Sequence, residues 1–288
     1  MELRPRYGDD PVVVLDGDPA AIADPAARQR RRLVDALGTL DDEQWAAPSR
    51  CEGWSARDVV VHLDGTNAFW THSIRAGLDG APTELLARFD PSATPAQMVA
   101  GAGEVSPAEV LDRFAASSGA LADLLCSLGP DDWSATAESP PGHVSVSTVA
   151  HHALWDSWVH ERDVLLPLGV APAEEPDEVV ACLRYAAALA PGLAVTMGED
   201  RRGVLVIESR RPAAVVEVTV AGRVTVRAGH TAGATPDLTL SGDAVALVEA
   251  LSVRRPLAPP VTGDAAWLVA GLATVFETDA PSGGPEPG

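Results

Sequence analysis

Ser147-Thr-Val-Ala-His-His-Ala-Leu-Trp-Asp-Ser-Trp-Val-His-Glu-Arg-Asp163 is the stretch that decides the fold. Within it, His152, Asp156 and His160 recur every four residues, so a helix places all three on one face, one turn apart. Asp156 and His160, as an i, i+4 pair, can hold one metal ion if further ligands come from elsewhere in the fold. A polar stripe with a hydrogen-bonded histidine explains the pattern equally well.

Cap signals predict three further helices around this one. Each begins with a serine or aspartate whose side chain can accept a hydrogen bond from the first turn. The caps and predicted spans are Asp24 (to about residue 40), Ser55 (56–78), Ser106 (107–128) and, for the central stretch, Ser145 or Ser147 (to about residue 166). Four amphipathic helices predict an antiparallel four-helix bundle over residues 24–170.

A weak internal repeat brings a second histidine to the same interior. Trp45, a proline-containing loop, a serine cap and a helix carrying His62 are paralleled by Trp133, a similar loop, a serine cap and the central helix. Metal sites in such bundles use side chains that project inward from facing helices. The register of the repeat pairs His62 with His152, because each lies seven residues after its cap serine, at 55 and 145.

From about residue 172 the pattern changes. A helix is predicted over 174–195, strands over 203–209, 214–220, 223–227 and 236–241, and helices over 244–251 and 264–276. This succession predicts a small α+β domain with an antiparallel sheet over residues 171–278, so that the whole chain is α+β. Residues 1–23 are expected to form a flexible tail or a single edge strand, and residues 279–288 a disordered tail.

Composition limits the classes of partner. The 288 residues include 41 acidic and 21 basic side chains, giving a formal charge of −20, which disfavours nucleic acid and anionic membranes. No run of 18 uncharged apolar residues predicts a membrane span. The three cysteines are widely spaced without a CxxC pair, which favours reduced thiols and a cytoplasmic location.

Three segments resemble one known family. Trp45-Ala-Ala-Pro-Ser-Arg-Cys-Glu-Gly-Trp-Ser-Ala-Arg-Asp-Val-Val-Val-His62 is similar to the signature of the mycothiol-dependent maleylpyruvate isomerase family, which belongs to the DinB-like metal-binding bundles. Trp155-Asp-Ser-Trp-Val-His-Glu-Arg-Asp163 resembles its second motif. Asp237-Leu-Thr-Leu-Ser-Gly-Asp243 and Leu251-Ser-Val-Arg254 resemble its C-terminal domain, which is like a sterol carrier protein. The resemblance spans about residues 25–277.

The resemblance implies a divalent metal, zinc above others, bound by His62, Asp156 and His160, with mycothiol as cosubstrate. One departure is that the family's isomerases carry glutamate where this chain has Asp156. Because aspartate is one methylene shorter, the metal must lie nearer the backbone or bind more weakly. His152 then becomes a substitute ligand or a group that supports the ligands. The family motif favours His160 over His152 as the histidine of the central helix.

The implied chemistry concerns a thiol. Three N/O ligands leave one coordination position open, and a thiol bound there is deprotonated. Such a thiolate can add to a small electrophile, which gives either a cis–trans isomerase, after rotation and elimination, or a mycothiol S-transferase. The resemblance places Arg254 as a catalytic residue that binds a substrate carboxylate. A surface arginine is the plain alternative for Arg254. Cys51 is expected to be structural, and the alternative is that it acts as a second nucleophile.

A second class of function is a non-catalytic module that keeps the bundle and binds a small ligand or regulates a partner. In the enzyme class, the partners are a small electrophile and a low-molecular-weight thiol, and the protein is a monomer or homodimer. Metal content distinguishes the two classes.

Overall fold

The structure, a computed structural model, describes residues 4–91, 93–103 and 105–276. The first part of the chain contains β1 (Val13–Leu15), α1 (Ala23–Leu37), α2 (Asp42–Ala46), α3 (Ala56–Leu78), α4 (Ala93–Gly101), α5 (Pro107–Ser127), β2 (Thr136–Ser139), β3 (Gly142–Ser145) and α6 (Val146–Leu165). The second part contains α7 (Pro176–Thr196), β4 (Gly203–Arg210), β5 (Ala213–Val220), β6 (Val224–Ala228), β7 (Leu238–Gly242), α8 (Ala244–Leu251) and α9 (Trp267–Phe276). The α+β class and the four-helix bundle are as predicted.

The bundle consists of α1, α3, α5 and α6. Three of these helices begin at the predicted caps Ser55, Ser106 and Ser145. The predicted cap Asp24 is wrong, because α1 begins at Ala23 and Asp24 lies inside its first turn. The Ser55 and Asp58 side chains form a reciprocal capping box at the start of α3, and Ser145 accepts a hydrogen bond from the backbone N–H of Thr148. These side chains satisfy backbone donors that the first turn of a helix leaves free. The caps therefore fix where the long helices start, and with that the register of their inward faces.

The directions of the helices differ from the prediction of an antiparallel bundle. Ser147 contacts Pro19 just before α1, and Glu161 contacts Arg32 toward its other end, so α1 and α6 run the same way. By contrast α3 and α6 are antiparallel, since His62 lies beside His160 and Trp70 beside His152. The long connection between α3 and α5 allows the chain to return before α5 begins. Cap and periodicity signals carry no information on these directions.

The sheet is mixed, which corrects the predicted antiparallel sheet. Its strand order is β1-β6-β5-β4-β7, with antiparallel pairs in the centre and parallel pairs β1–β6 and β4–β7 at the two edges. For residues 1–23 the sequence predicts either a flexible tail or a single edge strand. The structure has the edge strand, β1, and Val12 and Ile22 near it are buried. Alternating hydrophobicity predicts a strand but not its partner or direction. Residues 279–288 lie outside the described residues.

Helix α7 connects the two parts of the molecule. It packs against α6 on one side and against α8, α9 and the sheet on the other. Its composition would suit a membrane span, but 83% of its most apolar 18-residue window is buried inside the protein. The apolar side chains of α7 thus form the core between the bundle and the sheet.

The hairpin of β2 and β3 was not predicted, and it anchors the connection after α3. Glu138 in β2 is fully buried. Its carboxylate accepts hydrogen bonds from Tyr7 Oη (2.8 Å), Thr83 Oγ1 (2.6 Å), and the backbone N–H groups of Leu85 (2.9 Å) and Leu86 (2.7 Å). One buried carboxylate thereby holds the N-terminal segment and the segment at 83–86 against the bundle.

Candidate metal centre

Helices α3 and α6 bring His62, Asp156 and His160 together. Asp156 Oδ1 lies 3.6 Å from His160 Nε2 and 4.0 Å from His62 Nε2. The two imidazole rings stand edge to face, with their centroids 5.1 Å apart. All three side chains are largely buried, with 11–13% of their surface exposed. The three residues expected to bind metal thus form one compact cluster between two antiparallel helices.

Neighbouring side chains orient the cluster. Thr66, one turn after His62 on α3, donates from Oγ1 to Asp156 Oδ2 (3.3 Å), so that Oδ1 faces the histidines. His160 Nδ1 lies 3.0 Å from Asp163 Oδ2, and since a carboxylate only accepts, Nδ1 carries the proton. His160 Nε2 is therefore the ring nitrogen that faces Asp156, and it can bind a metal ion once it has lost its proton. A carboxylate behind a histidine is the usual support for a metal ligand.

The side chains of the cluster shift one another's pKa values. Burial alone would raise the pKa of Asp156, but the neighbouring His62, whose Nε2 is 4.0 Å away, and the charge of His160 hold it well below its usual range. Burial would likewise lower the pKa of His160, yet the hydrogen bonds with Asp163 and Cys51 and the charge of Asp156 raise it to about 10. Asp156 is therefore a buried, ionised carboxylate that can attract a cation.

The donor set fits a divalent metal. One ligand atom from each of the three residues lies within 4.8 Å of the others. Ligand atoms around a tetrahedral zinc ion are about 3.3 Å apart, given bonds of about 2.0–2.1 Å, so small side-chain rotations suffice. His62 Nδ1 is buried and has no hydrogen-bond partner among the described residues, so no hydrogen bond fixes which ring nitrogen faces the cluster. Two nitrogens and one oxygen leave a further coordination position for an exogenous ligand.

His152 has another role in the structure. It lies one turn before Asp156, but its Nδ1 is hydrogen-bonded to Tyr185 Oη of α7, and its ring packs on Trp70 and Trp155. Burial lowers the pKa of His152 to about 4, which keeps the ring neutral. The pairing of His62 with His152 that the repeat favoured does not occur. Because α3 and α6 are antiparallel, two positions equally far from their caps lie toward opposite ends.

Asp163 joins the cluster to the second part of the chain. Its carboxylate accepts from Arg254 Nε (3.0 and 2.9 Å), and Arg254 Nη2 lies 2.9 Å from Oδ2. Arg50 Nε also donates to Oδ1 (2.9 Å). Burial opposes the charge of Asp163, but His160 and Arg254 hold its pKa well below the usual range. Arg254 is therefore at the edge of the candidate centre and is not a free surface arginine.

Cys51 lies behind His160. Its Sγ donates to Asp163 Oδ2 (3.3 Å) and is 3.6 Å from His160 Nδ1. Cys51, His160 and Asp163 form a second group whose ligand atoms are close enough for a metal. Three observations indicate instead that His160 Nδ1 is bound to Asp163. The distance from Nδ1 to Asp163 Oδ2 is short, and two arginines hold the Asp163 carboxylate in place. The other ring nitrogen, Nε2, faces Asp156. Cys51 thus belongs to the support of the centre.

The sequence did not reveal several supporting residues. Thr66 could have been found, because it follows His62 by one helical turn and so lies on the same face. Trp54, whose ring centroid is 5.4 Å from that of His62, lies in the recognised segment. Arg50, in the loop before α3, donates a hydrogen bond of 2.9 Å to Glu249 of α8. The two residues are almost 200 positions apart, and no local sequence pattern indicates such a pair.

The bundle matches a known family model in sequence. Residues 26–165 match the sequence model of the family described as the mycothiol maleylpyruvate isomerase N-terminal domain. The match covers all four bundle helices after the first turn of α1, and it contains His62, Asp156 and His160. No match to the chain is found among curated proteins.

Solved structures with the same fold extend over both parts of the chain. The crystal structure of the mycothiol-dependent maleylpyruvate isomerase superposes with a TM-score of 0.59 at 14% identity, covering 82% of this chain and 90% of that chain. A histidine-to-alanine mutant of the same isomerase gives a TM-score of 0.58 at 16% identity, with the same coverage. At this identity the likeness establishes a shared fold.

Proposed function

We propose that this chain, whose residues 26–165 belong to the family of mycothiol maleylpyruvate isomerase N-terminal domains, is a metal-dependent enzyme that uses a thiol to transform a small electrophile. The observation that carries the proposal is the cluster of His62, Asp156 and His160 between α3 and α6, with Arg254 ion-paired to Asp163 at its edge. Metal ligands and a carboxylate-binding group are thus adjacent.

His62, Asp156 and His160 would hold the ion, and zinc suits their two nitrogens and one oxygen. A divalent ion at this position supplies the positive charge that lowers the pKa of a thiol. Asp163 keeps the proton on His160 Nδ1, so that Nε2 stays available as a ligand atom. Burial of the three side chains keeps bulk water away and strengthens each of these electrostatic interactions.

Arg254 supports a carboxylate-bearing substrate. Its Nε and Nη2 are bound by Asp163, whereas Nη1 makes a long contact of 3.4 Å with the Ser252 carbonyl. The Arg254 side chain is 23% exposed, and we propose that Nη1 donates to a substrate carboxylate while Asp163 fixes the rest of the group. Burial would lower the pKa of Arg254, but the charge of Asp163 raises it, so the group remains a cation.

The proposed cosubstrate is mycothiol, as in the named function of the matching family. A thiolate that adds to a cis double bond permits rotation about the resulting single bond, and its elimination returns the thiol and the trans product. If elimination does not follow, the adduct is released and the reaction is an S-transfer. The proposed setting is a reducing cytoplasm, in line with the three free cysteines, and the partners are small molecules rather than nucleic acid.

The test is turnover of maleylpyruvate with mycothiol by the purified chain. We expect fumarylpyruvate to form with wild-type protein and not with His62→Ala. His72→Ala is the matched control, because His72 is an exposed histidine on the same helix, and it should retain activity. Formation of a stable mycothiol adduct in place of fumarylpyruvate would select the transferase. If the wild type gives neither product with any electrophile, the enzyme proposal is wrong and a ligand-binding module remains.

A further inference from the structure

Helix α8 ends in a turn that carries a residue of unusual conformation. The backbone N–H of Arg254 donates to the Glu249 carbonyl (2.8 Å), and that of Val253 donates to the Ala250 carbonyl (3.2 Å). This pair of bonds is the Schellman motif, in which the residue after the cap adopts a left-handed backbone conformation. Val253 occupies that position, with φ at 59°.

A valine is a poor residue for this position. Glycine is usual there, because a Cβ is strained in the left-handed region, and β-branched residues are the least tolerant. Of the residues that the structure describes, Val253 is the one non-glycine with positive φ. Its side chain is 43% exposed, so burial does not offset the strain. The free energy of folding therefore does not explain why a valine is present.

The turn lies against the candidate metal centre. Ser252, on one side of Val253, accepts a hydrogen bond from Trp155 Nε1 (2.8 Å), next to Asp156 on α6. Arg254, on the other side, binds Asp163 and lies 3.7 Å from Cys51 Sγ. Both neighbours of Val253 thus contact the bundle within the support of the centre, and Val253 itself is an exposed residue between them in the chain.

We propose that Val253 is a specificity-determining residue whose side chain contacts the hydrocarbon part of a carboxylate-bearing ligand held by Arg254. Strained residues without a structural benefit are concentrated at functional sites. An exposed apolar branch on the residue that precedes Arg254 in the chain matches a small acid with a carboxylate at one end and a carbon skeleton behind it. The inference rests on the proposed function for the role of Arg254, and it adds a contact that selects among acids.

The experiment compares wild type with Val253→Gly and Val253→Ile in two measurements. Glycine relieves the strain, so the midpoint of thermal unfolding should rise by about 2–4 °C. The KM for maleylpyruvate at saturating mycothiol should rise about tenfold, because the apolar contact is lost, while kcat changes little. Isoleucine keeps the branched apolar group and should leave both quantities near the wild-type values. A merely structural valine would not move stability and KM in opposite senses.

Two results would overturn the inference: Val253→Gly that unfolds at a lower temperature than wild type, or an unchanged KM in that variant. If wild type does not turn over maleylpyruvate, the proposed function fails separately. The inference is then tested by calorimetric binding of maleate, a stable dicarboxylate. A roughly tenfold weaker Kd in Val253→Gly supports it, and an equal Kd, or no binding by wild type, overturns it.

Discussion

Asp163 of α6 and Arg254 after α8 form an ion pair with three N–O distances of 2.9–3.0 Å, across the junction between the bundle and the sheet domain. The same carboxylate lies 3.0 Å from Nδ1 of His160. One buried side chain therefore orients a candidate metal ligand and a candidate substrate-binding group at once. Displacing Asp163 is expected to disturb both.

Asp163→Asn should weaken metal binding. Asparagine can still accept from His160, but it loses the charge that holds His160, Arg254 and Arg50. Loss of such an outer partner typically lowers metal affinity about 10–100-fold. Competition with a chromophoric chelator measures the change, and Asp112→Asn on the exposed side of α5 is the control. Equal affinities for wild type and Asp163→Asn would refute this role.

His160 should make the stability of the chelator-treated protein depend on pH. Its pKa in the folded protein is raised to about 10 from the ordinary 6.5, despite the opposing effect of burial. A raised pKa stabilises the folded state fully below about pH 6.5, and this stabilisation is lost as the pH rises through about 10. The difference in melting temperature between wild type and His160→Gln should therefore shrink over that range. A difference that grows with pH would contradict the assignment.

Cys51→Ala should retain the metal and most of the activity. The Cys51 thiol donates to Asp163, which Arg254 and Arg50 already hold. Its other contacts, with His160 Nδ1 (3.6 Å) and Arg254 Nη2 (3.7 Å), are long. We expect metal content equal to wild type and a kcat reduced by less than the roughly tenfold that loss of an essential outer partner costs. Loss of the ion would instead show that Cys51 is a ligand, and complete loss of activity with the ion retained would show that it is a nucleophile.

Glu138→Gln should destabilise the protein without changing its metal content. Each carboxylate oxygen of Glu138 accepts two hydrogen bonds, and an amide nitrogen in either place would face donors. Leaving such buried groups unpaired costs about 2–3 kcal/mol. The melting temperature should fall by roughly 4–12 °C, as measured by circular dichroism. Glu52→Gln, at an exposed position, should melt with wild type; an equal melting temperature for Glu138→Gln would contradict this role.

Local signals predicted the elements well. The caps Ser55, Ser106 and Ser145 mark helix starts because they act within one turn, and the four-residue spacing of Asp156 and His160 places both on one face. The relative directions of the helices and the pairing of the strands could not be predicted from local sequence. The parallel pair of α1 and α6, and the pairing of β1 with β6 more than 200 residues away, depend on the path of the whole chain.

The candidate site shows the same division. The repeat correctly predicts that His62 faces the same interior as Asp156. Its register pairs His62 with His152, which is wrong because α3 and α6 are antiparallel. The hydrogen bond of Thr83 to the buried Glu138 and the contact of Arg50 with Glu249 join segments that no periodicity relates. The resemblance to a family, rather than the local pattern, singled out Arg254.

The account depends most directly on metal bound by His62, Asp156 and His160. Elemental analysis of protein purified without chelator measures this, with His62→Ala and the exposed control His72→Ala prepared in parallel. We predict about one divalent ion per chain in wild type and His72→Ala, and almost none in His62→Ala, because two remaining ligands hold an ion poorly. Wild-type protein without a divalent ion, or His62→Ala with a full complement, would contradict the account.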